Sequence, residues 1–141
     1  MVRSRPHRIS VNTPCWRLGH PASPLRRLPS TWTYTTANPF AVQVTFHVTS
    51  GPVTWLFARE MLDDGCHATS GIADVQITPF THEEVGEVVR IQLTSPSGRA
   101  VLLANRAPIR EFLTRTYEIA AAGTEAKLLP IDKWLSSLLS A

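Results

Sequence analysis

The segment Ala41–Thr49 leaves a chain of this kind little conformational freedom. Val42, Val44, Phe46 and Val48 alternate with Ala41, Gln43, Thr45 and His47. Strand side chains point to opposite faces in turn, so this alternation sets one apolar row against a core and one polar row in water. Ser50-Gly51-Pro52 reads as a turn, and Val53–Ala58, rich in aromatic and β-branched residues, as the return strand. Arg59–Asp64 suits about one helical turn, with Gly65 placed to stop it. The expected unit is a hairpin running straight into a short helix.

Similar patterns recur downstream. Ile72–Thr78 alternates and ends at Pro79, and Val85–Thr94 puts Val89, Ile91 and Leu93 on one face. Ser95-Pro96-Ser97-Gly98 has β-turn chemistry, and Arg99–Ala104 returns as a partner strand. Asn105 is placed as an N-cap, with Pro108 tolerated in the first turn. Ile109, Phe112, Leu113, Thr116 and Tyr117 follow the i, i+3, i+4, i+7, i+8 spacing of an amphipathic helix. After Pro130, Ile131, Trp134, Leu135, Leu138 and Leu139 repeat that stripe. Strands followed by a helix, twice over, define an α+β chain.

The N-terminal region reads differently. Six of the eleven prolines fall in residues 1–39, and residues 1–36 hold six arginines (Arg3, Arg5, Arg8, Arg17, Arg26, Arg27) and no acid. Proline removes a backbone donor and resists helix and central strand alike. Residues 1–30 are therefore expected to be an Arg/Pro-rich tail, with a weak edge strand at 7–18, broken by Pro14, as the one candidate for order. The domain proper is expected at 31–141, opening with Trp32 and Tyr34 in a strand and a turn at Thr36-Ala37-Asn38-Pro39. That body is mildly acidic, so the net charge of +3 belongs to the tail. No apolar run approaches the ~20 residues of a membrane span, and the N-terminus lacks the apolar core of a secretory signal. The expected location is the cytoplasm, where Cys15 and Cys66 stay unbridged.

No motif demands catalysis. Asp63-Asp64 near Glu60 fits a solvated turn better than a hard-cation site. Cys66-His67 has no second pair at zinc spacing. His82-Glu83-Glu84 lacks the second histidine of the metalloprotease helix. Ser95-Pro96-Ser97-Gly98 lacks the strand-turn-helix setting of a serine nucleophile. Phe46, Trp55 and Phe57 could form a stacking platform for single-stranded nucleic acid, but an acidic body repels phosphates and a core role is favoured. The sequence thus assigns no catalytic, cofactor-binding or metal-binding residues, needs no cofactor, and does not locate a partner-binding surface.

Several short motifs occur together in one order: Asn38-Pro39-Phe40-Ala41-Val42, Thr45-Phe46-His47, Trp55-Leu56-Phe57-Ala58-Arg59, Glu60-Met61-Leu62 with Gly65, Gly71-Ile72-Ala73-Asp74-Val75, Ser95-Pro96-Ser97-Gly98, Phe112-Leu113-Thr114-Arg115-Thr116 and Gly123-Thr124-Glu125. In this order they resemble the SsgA-like sporulation and cell-division proteins of actinomycetes. The resemblance implies a fold similar to the whirly proteins, with two antiparallel sheets each followed by a helix. It implies a non-enzymatic adaptor at the division septum, self-associated as a homotrimer. Its partners would be divisome proteins such as FtsZ or a paralogous SsgA-like protein, acting in septum positioning or wall remodelling. Nucleic-acid binding by a whirly-like module is the alternative. The N-terminal region departs from the family's regular first strand, with Pro14 standing inside it.

Overall fold

Residues 5–19, 25–128 and 136–140 are described by a computed structural model of the chain. Four strands lead into a helix: β1 (Arg8–Leu18), β2 (Arg26–Thr35), β3 (Ala41–Val48), β4 (Gly51–Ala58) and α1 (Arg59–Gly65). Four more repeat the pattern: β5 (Ser70–Ile72), β6 (Val75–His82), β7 (Gly86–Ser95), β8 (Gly98–Asn105) and α2 (Arg106–Ile119), followed by a 3-10 turn at Glu125–Leu128. All ladders are antiparallel, and the order across the sheet is β4-β3-β2-β1-β8-β7-β6-β5. The strand-then-helix duplication and the α+β class therefore hold.

The two halves do not form two separate sheets. Cys15–Leu18 of β1 pair with Val101–Ala104 of β8, which joins the halves into one eight-stranded sheet. The expected edge strand at 7–18 is thus a central strand, paired with β2 along its length and with β8 at its C-terminal end. Arg26–Ser30, expected in the tail, are the start of β2.

Pro14 survives in the middle of the sheet for a geometric reason. It stands directly opposite Pro29. Neither ring nitrogen carries a hydrogen, so this is a non-hydrogen-bonded pair, with both nitrogens pointing away from each other. Pro14 lies one residue before the β1–β8 ladder begins, and Pro29 one residue before the β2–β3 ladder begins at Ser30. Each missing donor therefore falls where no neighbouring strand needs it.

Other boundaries shift for local reasons. Gly51 and Pro52 belong to β4, because Val48 pairs with Gly51 and the turn is Thr49-Ser50. The expected strand Ile72–Thr78 is split by a hairpin at Ala73-Asp74, where Ala73 adopts a positive φ of 53°. Pro79 continues β6 beyond the reach of the short β5, where its absent N–H faces an open edge. Gly65 does not stop α1 with a left-handed turn. It is the last helical residue, and a Cβ there would run into the Ile77 side chain. In the stripe expected after Pro130, Ile131, Trp134 and Leu135 lie outside the described residues, and Leu138 and Leu139 are exposed.

The alternation in β3 is realised fully: Val42, Val44 and Phe46 are buried while Gln43 and His47 face solvent. The same face of the sheet contributes Trp32 and Tyr34 from β2, Cys15 from β1, Val89 and Ile91 from β7 and Ile77 from β6. Ile109, Phe112 and Leu113 of α2 close over it, as does Leu62 of α1. Both helices follow strands that run toward one end of the sheet. They cover that end, and neither lines the hairpin end with its β3–β4 and β7–β8 turns.

Candidate interaction surface

Two constructions stand out: a buried arginine that ties the halves together at the helical end, and an apolar groove at the hairpin end.

Arg59 opens α1 and is 1% exposed. Its guanidinium donates to the Thr116 carbonyl oxygen in α2 at 3.1 Å and to Glu125 Oε1 at 2.8 Å. It also lies over two aromatic rings, 4.8 Å from the Tyr34 centroid and 4.1 Å from that of Tyr117. A planar cation between two ring faces is favourable, and desolvation strengthens the attraction. Arg59 Nε is the one buried side-chain nitrogen or oxygen without a hydrogen-bond partner among the described residues. One side chain thus connects β2, α1, α2 and the 3-10 turn. The Arg59 hydrogen bond holds the Glu125 carboxyl below its ordinary range. Burial, with Asp63 nearby, pushes the Tyr117 hydroxyl up to about 12.

At the opposite end the concave face forms an open groove of about 420 Å³. Its walls are Phe46 and Val48 of β3, Val53 and Trp55 of β4, and Leu93 and Leu102 of β7 and β8. Arg17 and Arg99 border it, both exposed, and its lining contains no carboxylate. The groove exists because the alternating apolar rows continue to the hairpin turns while the two helices do not.

Phe46 and Phe57 take the core role that the sequence favours over an aromatic platform. Phe46 is 3% exposed and Phe57 fully buried. Trp55 is half-buried, with its ring centroid 6.3 Å from that of Phe57. Cys15 and Cys66 are both free and buried. Ser30 Oγ accepts from Trp32 Nε1 at 2.9 Å and donates to the Thr13 carbonyl at 2.6 Å, so its contact with Cys15 Sγ at 3.1 Å uses the thiol hydrogen. Burial pushes both thiols up to about 11. The Cys66 carbonyl accepts from Arg106 Nε, whereas His67 is exposed. Asp63 and His67 approach only to 3.9 Å on the surface, and Asp64 and Glu60 face solvent. His82 Nδ1 accepts from the Glu84 amide. Ser95-Pro96-Ser97-Gly98 is the β7–β8 turn, with Ser95 opposite Gly98. Among the described residues no three His, Cys, Asp or Glu side chains converge as a metal site. No described helix is long and apolar enough to cross a membrane.

Comparison with known proteins gives consistent results. The family model described as "Streptomyces sporulation and cell division protein, SsgA" matches residues 28–125. A sporulation-specific cell division protein SsgB from Salinispora tropica is 36% identical over 139 residues, covering 96% of each chain. The SsgB of Streptomyces coelicolor is 39% identical over 114 residues, covering 80% of this chain and 82% of its own. An SsgA-like sporulation-specific cell division protein from Thermobifida fusca, solved by crystallography, superimposes with a TM-score of 0.84 at 34% identity, covering 96% of this chain and 98% of that one. A second solved structure, reported with SsgB mutations that correlate to longitudinal cell division during sporulation of Streptomyces coelicolor, gives a TM-score of 0.83 at 32% identity, covering 90% of this chain and 99% of that one.

Proposed function

This chain belongs to the SsgA family of sporulation and cell-division proteins, and on that premise we propose that it is a non-enzymatic adaptor in sporulation-specific division. It helps place the septum, guiding FtsZ or local wall remodelling through surfaces rather than through a reaction. The observation that carries this reading is the end-to-end likeness to proteins named for sporulation-specific division, at 36% identity over 96% of both chains. A fluorescent fusion expressed in the host tests it. Foci at nascent sporulation septa are expected, and uniform fluorescence throughout septation contradicts the reading.

Self-association as a homotrimer belongs to the same proposal. Its support is the exposed apolar pair Leu56 and Ile72, at 60% and 77% exposure, which line a common cleft where the edge strands β4 and β5 come near each other beside α1. Contiguous exposed apolar surface of this kind marks association sites. Light scattering is expected to give three times the chain mass of 15.6 kDa, falling to one chain mass for Ile72→Asp. A monomeric wild-type protein contradicts it.

A further inference from the structure

We propose that the groove at the hairpin end docks an extended peptide segment of a partner protein in which apolar and acidic residues are interspersed. The inference rests on the adaptor reading and gives its partner a chemistry.

The apolar half of the argument is the wall. Phe46, Leu93 and Leu102 form the floor at 3%, 6% and 5% exposure, while Val53 stands 43% exposed at the lip. The volume of about 420 Å³ lies within the range of roughly 300–1,000 Å³ in which small ligands and anchoring side chains are held. Neither α1 nor α2 contributes to the groove lining.

The charged half is the border. Arg17 lines the groove and stands directly opposite Arg26 in the β1–β2 ladder, so both side chains share the concave face. Like charges placed directly opposite one another repel. Arg99 touches the rim beside the β7–β8 turn, but its ladder position opposite Thr94 turns it to the other face from Leu93 and Leu102. The ion pairs among the described residues are Arg59–Glu125 and His67–Asp63, so none of these three arginines has a carboxylate partner there. The sequence supplies none nearby on the first four strands, since its first acidic residue is Glu60. An anion seated between Arg17 and Arg26 relieves that repulsion, and apolar side chains on the same ligand fill the floor. A nucleic acid does not fit this description, because Phe46 is 3% exposed and Phe57 fully buried, which leaves Trp55 without the row of exposed rings that successive bases stack on. An open groove bounded by two hairpins suits an extended chain.

The test is fluorescence anisotropy of the full-length protein with two labelled decapeptide pools, one built from Leu, Phe, Asp and Glu, the other with Lys in place of the acids. The acidic pool is expected to bind and the basic pool not. Binding should weaken with added salt, since the contacts are exposed, and drop at least ten-fold in the variant Arg17→Glu/Arg26→Glu. Both substitutions are at exposed positions, and an unchanged unfolding midpoint confirms the fold. Val53→Trp, which crowds the lip without altering charge, is expected to weaken binding as well. No binding by the acidic pool, equal binding by both pools, or binding undiminished in both variants overturns the proposal. So does saturable binding of palmitate at Trp55 by a protein that ignores the peptides. A septal fusion without peptide binding removes the groove alone, whereas peptide binding with a diffuse fusion removes the septal role alone.

Discussion

Arg59→Ala is expected to destabilise the protein by about 3–4 kcal/mol, the range for leaving a buried ion pair broken. The components agree in size. A hydrogen bond to a charged group contributes about 1.5–3 kcal/mol, and Arg59 makes two, to Thr116 and Glu125. Each ring contact adds roughly 0.5–2 kcal/mol, and there are two, with Tyr34 and Tyr117. The desolvation of a guanidinium at 1% exposure offsets about half of that total. Arg59→Met keeps most of the volume and avoids burying a charge, so its loss should be smaller, about 2 kcal/mol, mainly the two lost hydrogen bonds, while the Thr116 carbonyl keeps the Ala120 amide. Arg59→Lys should fall between them, because an ammonium reaches one partner and cannot lie flat between two rings. The assay is urea unfolding at one fixed protein concentration. With a slope of roughly 1.5–2 kcal/mol per molar, Arg59→Ala moves the midpoint down by about 2 M. A shift below about 0.5 M, or an Arg59→Met protein less stable than Arg59→Ala, refutes the argument that this cation clamps the halves.

Other expectations follow from neighbouring features. The Tyr117 hydroxyl titrates at about 12 in the fold against 10.0 unfolded; a raised value means its stabilisation is complete below pH 10 and lost as pH rises toward 12, so Tyr117→Phe should flatten the alkaline limb of a stability–pH curve. Glu125 is shifted the other way by Arg59, so its contribution is full above its ordinary value of 4.5 and disappears as pH falls through the lower folded value; Glu125→Gln should remove that acid limb. Cys15 and Cys66, buried with thiols raised to about 11, should react with an aromatic disulfide reagent only at the rate of unfolding; rapid labelling of the native protein contradicts their placement. Gly65→Ala should destabilise by roughly 2 kcal/mol through overpacking against Ile77, measured in the same urea assay.

Much of the fold was legible because its strands are amphipathic. The hairpin of β3 and β4, the β7–β8 pair and the stripe of α2 all carry a single period, and the structure buries the row each one predicts. The N-terminal strand was legible only as a weak edge candidate at 7–18 and not as a central strand, since prolines and arginines outweighed the alternation of Ile9, Val11, Thr13 and Cys15, which β1 does turn inward. That row was the available signal. What it lacked was the knowledge that Pro14 faces Pro29 and that pairing with β8 begins one residue later. The split at Ala73-Asp74 was missed because a positive φ at alanine has no composition signature. Arg59 was visible only as part of a motif, since its partners lie 57 and 66 residues away. The groove could not be read at all: it arises from where two helices end relative to eight strands.

A truncation removing residues 1–19 separates a central first strand from a dispensable tail. It should leave β2 and β8 with unpaired edges and an opened core, giving a protein with no cooperative unfolding transition, whereas wild-type stability contradicts the joined sheet.

Septum spacing in spore-forming cells of the host, after deletion of the gene and complementation with wild type or with Arg17→Glu/Arg26→Glu, tests the septal role and the groove together most directly. Deletion should give irregular or missing septa, wild type should restore regular septa, and the folded, normally abundant groove variant should fail to restore them. Normal septation in the deletion strain contradicts the septal role.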